Sequence, residues 1–109
     1  MPSVTAEVEF NVIAREWRCK WSNEESLQNA QKLLESHLET LKNIDGVKDV
    51  QRVVCGTCND FKVIISLDHV AFGVWEGASF APEETFLSEL GKIDGIDTIE
   101  EQTFTLMSM

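Results

Sequence analysis

Basic residues are scarce in this chain. Nine lysine and arginine residues stand against nineteen acidic residues among 109, which gives a net charge of −10. A nucleic-acid surface needs clustered positive charge to neutralise phosphates, so this balance argues against a nucleic-acid partner. Long apolar runs are also missing, because the longest, Val70–Trp75, is far shorter than the roughly 20 residues that span a bilayer. We therefore expect neither nucleic acid nor a membrane as a partner.

Cysteine is sparse as well. Three cysteines, an odd number, fit a reducing cytoplasm better than a disulfide scaffold. The first residues also lack the basic and apolar regions of a signal peptide, so the sequence predicts a cytoplasmic protein. A chain of 109 residues, 43% of them hydrophobic, is long enough to bury one core, and we predict a single domain over residues 1–109.

The N-terminal third predicts a strand followed by a long helix. Alternating apolar residues first favour one face of a strand (Ala6, Val8, Phe10, Val12, Ala14) and then the other (Ile13, Trp17, Cys19, Trp21), which indicates a bulge or a change of environment near Ala14. Ser22 and Glu25 have the spacing of a capping box, and the leucines that follow them have helical spacing. The helix should be about twenty residues long, as the leucine pattern extends to Leu41.

The remainder predicts a hairpin, a connection, a second helix and a last strand. Residues 47–55 and 59–67 are rich in β-formers, and residues 68–81 are interpreted as an irregular, aromatic-rich connection. Pro82 followed by two glutamates is typical of a helix start, and residues 96–107 predict the final strand. The segment from Leu38 to Val50 is repeated 49 positions later, from Leu87 to Ile99, as two βαβ halves require.

The predicted fold class is therefore α+β. The order βαββαβ is typical of a ferredoxin-like fold, with a four-stranded antiparallel sheet and two helices on one face. We assign Ile13, Trp17, Cys19 and Trp21 to the open face of that sheet, where they are too apolar to remain in water. Packing two such sheets against each other would bury them, so we predict a homodimer formed through the open face. A different protein that covers this face, as in a regulatory or assembly subunit, is the alternative.

Several segments resemble the ligand-responsive domain of Lrp/AsnC-type regulators. The likeness lies in Ile44-Asp-Gly-Val-Lys-Asp-Val, Val53-Val-Cys-Gly and Asp60-Phe-Lys-Val-Ile-Ile, and again in the second helix and Thr103-Phe-Thr-Leu. This chain has one extra residue in the hairpin and a longer connection after it. The resemblance implies a dimeric α+β barrel without a DNA-binding part. That superfamily also contains cofactor-free monooxygenases, haem-degrading enzymes and polyketide cyclases, so the fold alone does not specify the function.

One set of residues suits an amphipathic anion. Arg15 can bind a carboxylate, and the two indoles on the same strand face can contact an apolar body. The connection 68–81 adds further rings, so the sequence predicts a ligand site with these members: Arg15, Trp17, Trp21, His69, Phe72, Trp75 and Phe80. Packing of the tryptophans in a dimer interface is the alternative interpretation.

The Cys55-Gly-Thr-Cys58 motif is interpreted as two small residues that flank a turn. A redox pair of this spacing is activated at a helix N-terminus, and here strands flank it. A zinc site would need two further ligands, for which only Cys19, His37 and His69 remain. We expect no metal and no cofactor, and we expect His37 to lie on the surface.

Three functions remain open on the sequence alone. The first is a small-molecule-binding homodimer whose ligand is a fatty or aromatic acid. The second is a cofactor-free oxygenase or cyclase that uses His69 as its base, because histidine is the commonest general acid or base. The third is the regulatory or assembly subunit.

Overall fold

The computed structural model describes residues 3–5 and 7–109, so Ala6 of the predicted first strand lies outside the described residues. Along the described residues the elements follow one another in this order: β1 (Ser3–Thr5), β2 (Val8–Glu9), β3 (Val12–Trp21), α1 (Glu24–Lys42), β4 (Val47–Cys55), β5 (Asp60–Leu67), α2 (His69–Gly77), α3 (Glu83–Gly91) and β6 (Ile96–Leu106).

The main sheet has four antiparallel strands in the order β4-β5-β3-β6. The central strand β3 pairs on both sides, so that Trp17 lies opposite Val63 of β5 and Glu101 of β6. The short strands β1 and β2 form a separate two-stranded sheet. This arrangement confirms the predicted α+β ferredoxin-like fold.

The N-cap of helix α1 is Asn23, one residue later than the predicted N-cap, Ser22. Asn23 is the N-cap: its side chain accepts a hydrogen bond from the Ser26 backbone N–H at 2.8 Å, while the Ser26 hydroxyl accepts one from the Asn23 backbone N–H at 3.1 Å. The interpretation of Ser22 and Glu25 as the capping pair is therefore wrong. The physical reason is that Ser26 is buried and forms both contacts, whereas Glu25 is exposed in the first turn.

The connection between β5 and the second predicted helix is itself helical. The side chain of Asp68 accepts a hydrogen bond from the Ala71 backbone N–H at 2.9 Å, and α2 continues from there to Gly77. That hydrogen bond lowers the pKa of Asp68, because it favours the charged carboxylate. The prediction of an irregular segment over residues 68–81 is wrong for 69–77. The buried Phe72 and Trp75, three residues apart, hold this helix against the sheet.

The apolar side chains of β3 face the helices. Cys19 lies opposite Phe61, and Trp17 opposite Val63, within a core that α1, α2 and α3 cover. Assigning Ile13, Trp17, Cys19 and Trp21 to the open face is therefore wrong. Strand β3 pairs with β5 in unbroken register from Ile13 to Lys20, so the odd-numbered positions share the face on which β5 places its core residues, while the even-numbered positions form the open face. No bulge at Ala14 is needed.

Candidate functional site

Arg15 lies at the centre of the arrangement between β3, β6 and the third helix. Its Nε donates to Oε2 of Glu83 at 2.8 Å, and its Nη2 donates to Oε1 of the same carboxylate at 2.9 Å. Its Nη1 donates to the Thr103 hydroxyl at 3.0 Å. The Arg15 guanidinium also lies 4.2 Å from the centre of the Phe80 ring, a cation–π distance. All three nitrogens of this cation thus donate to a defined partner, and one of its faces contacts an aromatic ring.

The ion pair is half-buried. The side chains of Arg15 and Glu83 are each 14% exposed. The hydrogen bond to Glu83 raises the pKa of Arg15 above its ordinary value, although burial acts in the opposite direction. The guanidinium is therefore a permanent positive charge in a partly desolvated place, where its hydrogen bonds to an anion are stronger than they would be in water.

A second donor points at the same carboxylate. The indole Nε1 of Trp17 donates to Oε2 of Glu83 at 2.8 Å, so this one oxygen accepts from both Arg15 and Trp17. Trp17 is fully buried and comes from the middle of β3, whereas Glu83 is the first residue of α3. Two donors on one strand therefore define a single anion position beneath the helix.

Aromatic rings surround this position. Trp17 stacks on Phe86 with ring centres 4.9 Å apart and lies 6.5 Å from Trp75. Trp75 in turn meets Phe72 at 5.9 Å and Phe80 at 5.1 Å, both edge to face. We call these five rings the aromatic cluster. Together with Arg15 they form a largely apolar environment that contains one cation and two indole N–H donors, of which that of Trp17 points at Glu83.

The turn between α2 and α3 holds Phe80 under Arg15. Ser79 and Phe80 have φ of 58° and 55°, in the left-handed region that non-glycine residues seldom adopt. The indole Nε1 of Trp75 donates to the Ala81 carbonyl at 2.9 Å, and the Glu83 backbone N–H donates to the Phe80 carbonyl at 2.9 Å. These bonds stabilise the left-handed turn and fix the start of α3 beside β3.

The structure brings together five of the seven predicted site residues. They are Arg15, Trp17, Phe72, Trp75 and Phe80. Trp21 shares their face of the sheet, but it lies at the far end of β3, where its Nε1 donates to the Asp60 carbonyl at 3.2 Å. His69 is the first residue of α2, and it is exposed. His37, expected on the surface, is half-buried and lies edge-on to Phe86 at 5.5 Å; that expectation is wrong because α1 packs against α3.

Glu83 and Phe86 complete the cluster, although sequence reasoning did not assign them to it. As one of the two glutamates after Pro82, Glu83 predicts only the start of a helix, where an acidic side chain complements the helix dipole. The one usable signal is the spacing of three between them, which places both on one side of α3, facing the strand that carries Arg15 and Trp17.

The cysteine pair differs from our expectation. Cys55 and Cys58 do flank the turn, but they are also joined by a disulfide, with their Cα atoms 5.5 Å apart, so interpreting them only as two small residues at a turn is wrong. The tight turn between β4 and β5 is what brings the two Cα atoms within disulfide range. Cys19 is free and buried, and burial raises the pKa of its thiol to about 11.

Within residues 3–5 and 7–109, no cluster of three histidine, cysteine or acidic side chains is placed to hold a metal ion. Over the same part of the chain, no helix is long and apolar enough to cross a membrane.

Comparison with known proteins yields structural relatives only. No protein-family model and no curated protein matches the chain. Among solved structures, a monooxygenase from the gene ActVA-Orf6 of Streptomyces coelicolor, in complex with the ligand Nanaomycin D, has a TM-score of 0.69 at 12% identity, over 92% of this chain and 90% of that one. A variant of SnoaB, a cofactor-independent oxygenase from Streptomyces nogalater, has a TM-score of 0.62 at 16% identity, over 91% and 96%.

A conserved protein from Methanosarcina mazei is similar as well, with a TM-score of 0.64 at 12% identity over 88% of this chain and 93% of that one. None of these comparisons shows the narrower resemblance to Lrp/AsnC-type regulators. At such low identity the likeness concerns the fold and not the activity. The chain accordingly has the ferredoxin-like α+β fold of these oxygenases.

Proposed function

We propose that this chain is a cofactor-independent oxygenase that binds a planar, anionic aromatic molecule beneath α2 and α3. The observation that carries the proposal is the half-buried Arg15, held between the Glu83 carboxylate and the Phe80 ring at the edge of the aromatic cluster. Two structural relatives, a monooxygenase with a bound ligand and a cofactor-independent oxygenase, support this class of reaction.

The ligand anion would take the place of the Glu83 carboxylate. Arg15 and Trp17 both donate to that carboxylate, so an incoming phenolate or carboxylate finds two preset donors. The rings of Phe72, Trp75 and Phe80 would contact the apolar body of the ligand. Entry requires α3 to shift so that Glu83 releases Arg15, because the aromatic cluster is closed in this structure.

The chemistry would proceed from the bound anion. A phenolic substrate with an activated CH₂ group, such as an anthrone, gives on loss of a proton an anion rich enough in electrons to react with dioxygen directly. Overall, the CH₂ group and O₂ give a carbonyl group and one water. Arg15 and Trp17 would stabilise the anion, and the released carboxylate of Glu83 is the group that would accept the proton. His69 takes no part in this scheme, because it is exposed.

Binding without turnover is the second function that this site supports. The same cation and rings would hold a fatty or aromatic acid, since a carboxylate fits the position of the Glu83 carboxylate equally well. Oxygen consumption distinguishes the two functions, because only the oxygenase uses O₂.

The test is oxygen uptake with anthrone as the substrate. We expect the protein to accelerate uptake, with one O₂ consumed for each anthraquinone formed, and we expect Arg15→Ala to lower kcat/KM by about 100-fold. Arg52→Ala is the matched control, because Arg52 donates to Gln31 on the α1–β4 side of the molecule. Uptake that is no faster with the protein than without it would exclude the oxygenase. Binding of 1-naphthoate without oxygen uptake would then support the binding protein.

We also propose that the chain acts as a homodimer through its open sheet face. In the register of the sheet this face carries an apolar end, at Val12, Phe104 and Leu106, while its charged residues largely pair with one another, as Glu16 does with Lys62 at 3.9 Å. Phe104→Glu would place an unpaired charge in the apolar part of such an interface. Sedimentation should show a dimer for the wild type and a monomer for this variant. A monomeric wild type would contradict the proposal.

A further inference from the structure

We propose that the Cys55–Cys58 hairpin is a thiol–disulfide exchange centre, in which a cellular thiol attacks Cys58 and Cys55 leaves as the thiolate. The centre lies at the turn between β4 and β5, away from the aromatic cluster, and it is independent of the proposed oxygenase function. Cys58 is exposed and Cys55 is half-buried, so an incoming thiol reaches the Cys58 sulfur more easily.

The surroundings of the Cys55 sulfur suit a leaving thiolate. The Cys58 backbone N–H lies 3.1 Å from Cys55 Sγ and donates to it, and the Thr57 hydroxyl lies 3.6 Å from the same sulfur. Hydrogen bonds of this kind stabilise a negative sulfur, and a more stable thiolate leaves faster in disulfide exchange. Within the residues that the structure describes, no acidic side chain forms a hydrogen bond with Cys55 Sγ.

The surroundings of the Cys58 sulfur have the opposite character. Its Sγ lies 3.5 Å from Oδ2 of Asp60, and a carboxylate at this distance disfavours negative charge on the sulfur. Asp60 is held by Lys20 at 2.6 Å and by Arg18 at 3.2 Å. The hydrogen bond from Lys20 lowers the pKa of Asp60, so its carboxylate is ionised at neutral pH. After reduction, Cys58 can remain a thiol that donates to Asp60.

The turn has supports that do not depend on the disulfide. Lys20 Nζ donates to the Cys58 carbonyl at 2.9 Å, and the Asn59 side-chain amide donates to the Trp21 carbonyl at 2.9 Å. The Trp21 backbone N–H donates in turn to the Asn59 carbonyl at 3.1 Å. The reduced hairpin should therefore keep its shape, which allows the disulfide to form again.

The exchange proceeds in two balanced steps. A thiolate RS⁻ attacks Cys58 Sγ, the Cys55–Cys58 bond breaks, and the products are an RS–Cys58 mixed disulfide and a Cys55 thiolate. A second RS⁻ then attacks the R-bearing sulfur of the mixed disulfide, which forms RSSR and releases Cys58 as a thiolate. The two cysteine thiolates then take protons from solvent. Two thiols are thereby oxidised, and the protein gains two electrons and two protons.

The first experiment counts accessible thiols in the folded protein. After treatment with oxidised glutathione the protein should take up no maleimide, because Cys19 is fully buried. After dithiothreitol it should take up two labels, and renewed oxidised glutathione should return the number to zero. The control Cys58→Ser, which cannot form the internal disulfide, should take up one label and not two after dithiothreitol, and should carry glutathione after oxidised glutathione, whereas the reoxidised wild type should carry none. A wild type that keeps both labels after oxidised glutathione, or that gains none after dithiothreitol, would overturn the proposal.

The second experiment identifies the attacked sulfur. The oxidised protein is exposed briefly to glutathione, quenched with acid, alkylated and fragmented for mass spectrometry; the adduct should lie on Cys58 and the alkyl group on Cys55. Asp60→Asn should speed this step about fivefold, because it removes a negative charge beside the attacked sulfur. Asp94→Asn is the control and should not. An adduct on Cys55, or an unchanged rate in Asp60→Asn, would contradict the assigned direction.

Discussion

Arg15 of β3 and Glu83 of α3 form a bidentate ion pair across 68 residues of sequence, with N–O distances of 2.8 and 2.9 Å. The pair connects the central strand to the first turn of the third helix. Since Trp17 donates to the same carboxylate, Glu83 satisfies the donors that an anionic ligand would otherwise use. Glu83 therefore has two roles in our account: it stabilises the closed form, and it competes with the ligand.

The stabilising role predicts the effect of Glu83→Gln. The amide cannot accept from Arg15 and Trp17 as strongly as the carboxylate does, so the free energy of unfolding should fall by about 2 kcal/mol. Urea unfolding followed by circular dichroism measures this. Glu84→Gln, next in the same helical turn, removes the same charge without these contacts and should change the free energy of unfolding by less than about 0.5 kcal/mol. Equal effects of the two variants would mean that only the helix dipole matters.

If Arg15 binds the ligand's anionic group, Arg15→Ala should weaken the binding of acids more than the binding of the matching alcohols. The variant should bind 1-naphthoate at least about tenfold more weakly than the wild type, because the charge-assisted hydrogen bonds are lost. Binding of the neutral 1-naphthalenemethanol should change much less. Quenching of tryptophan emission measures both affinities. Arg15 would be excluded from the site if both ligands weakened equally.

Packing of the aromatic cluster predicts that Phe86→Ala strongly destabilises the protein. Phe86 is fully buried against Trp17, so its truncation should lower the free energy of unfolding by about 3 to 5 kcal/mol. Val74→Ala is the control on the neighbouring helix, because Val74 is 70% exposed, and it should have little effect. Thermal unfolding of both variants tests this. A small loss for Phe86→Ala would show that the cluster is loosely packed.

Replacing two glycines by alanine should change the free energy of unfolding in opposite directions. Gly46 has φ of 81°, and a Cβ there would collide with the Cβ of Ala71, so Gly46→Ala should lower the free energy of unfolding by more than about 1 kcal/mol. Gly73 lies within α2 with open space at its Cβ position, so Gly73→Ala should raise it by about 0.5 to 1 kcal/mol. Chemical unfolding measures both values. A stable Gly46→Ala variant would show that the contact between this turn and α2 is dispensable.

Much of the fold could be predicted from local patterns. The leucine spacing of α1 and the β-rich segments on either side of the Cys55–Cys58 turn depend on neighbouring residues only, and the structure confirms both. The face of β3 could not be predicted in the same way. Both sets of alternating residues on that strand are partly apolar, and only the register with β5 determines which set lies under the helices.

The site, too, was predictable only where it depends on neighbouring residues. Arg15 and Trp17 are two residues apart on one strand, so their common face follows from alternation. Their contact with Glu83 depends on where the turn at Ser79 and Phe80 places α3. No local sequence pattern predicts the left-handed backbone of that turn. The ion pair with Glu83 spans the two halves of the chain and could be seen only in the folded structure.

The most direct test of the central claim is the response of the three indole N–H groups in an NMR titration with 1-naphthoate. Trp17 donates to Glu83, Trp75 to the Ala81 carbonyl and Trp21 to the Asp60 carbonyl, so each reports on a different place. If the anion binds beneath α2 and α3, the Trp17 signal should shift most, the Trp75 signal should shift as well, and the Trp21 signal should remain unchanged. A shift confined to Trp21, or no shift at saturating ligand, would contradict the account.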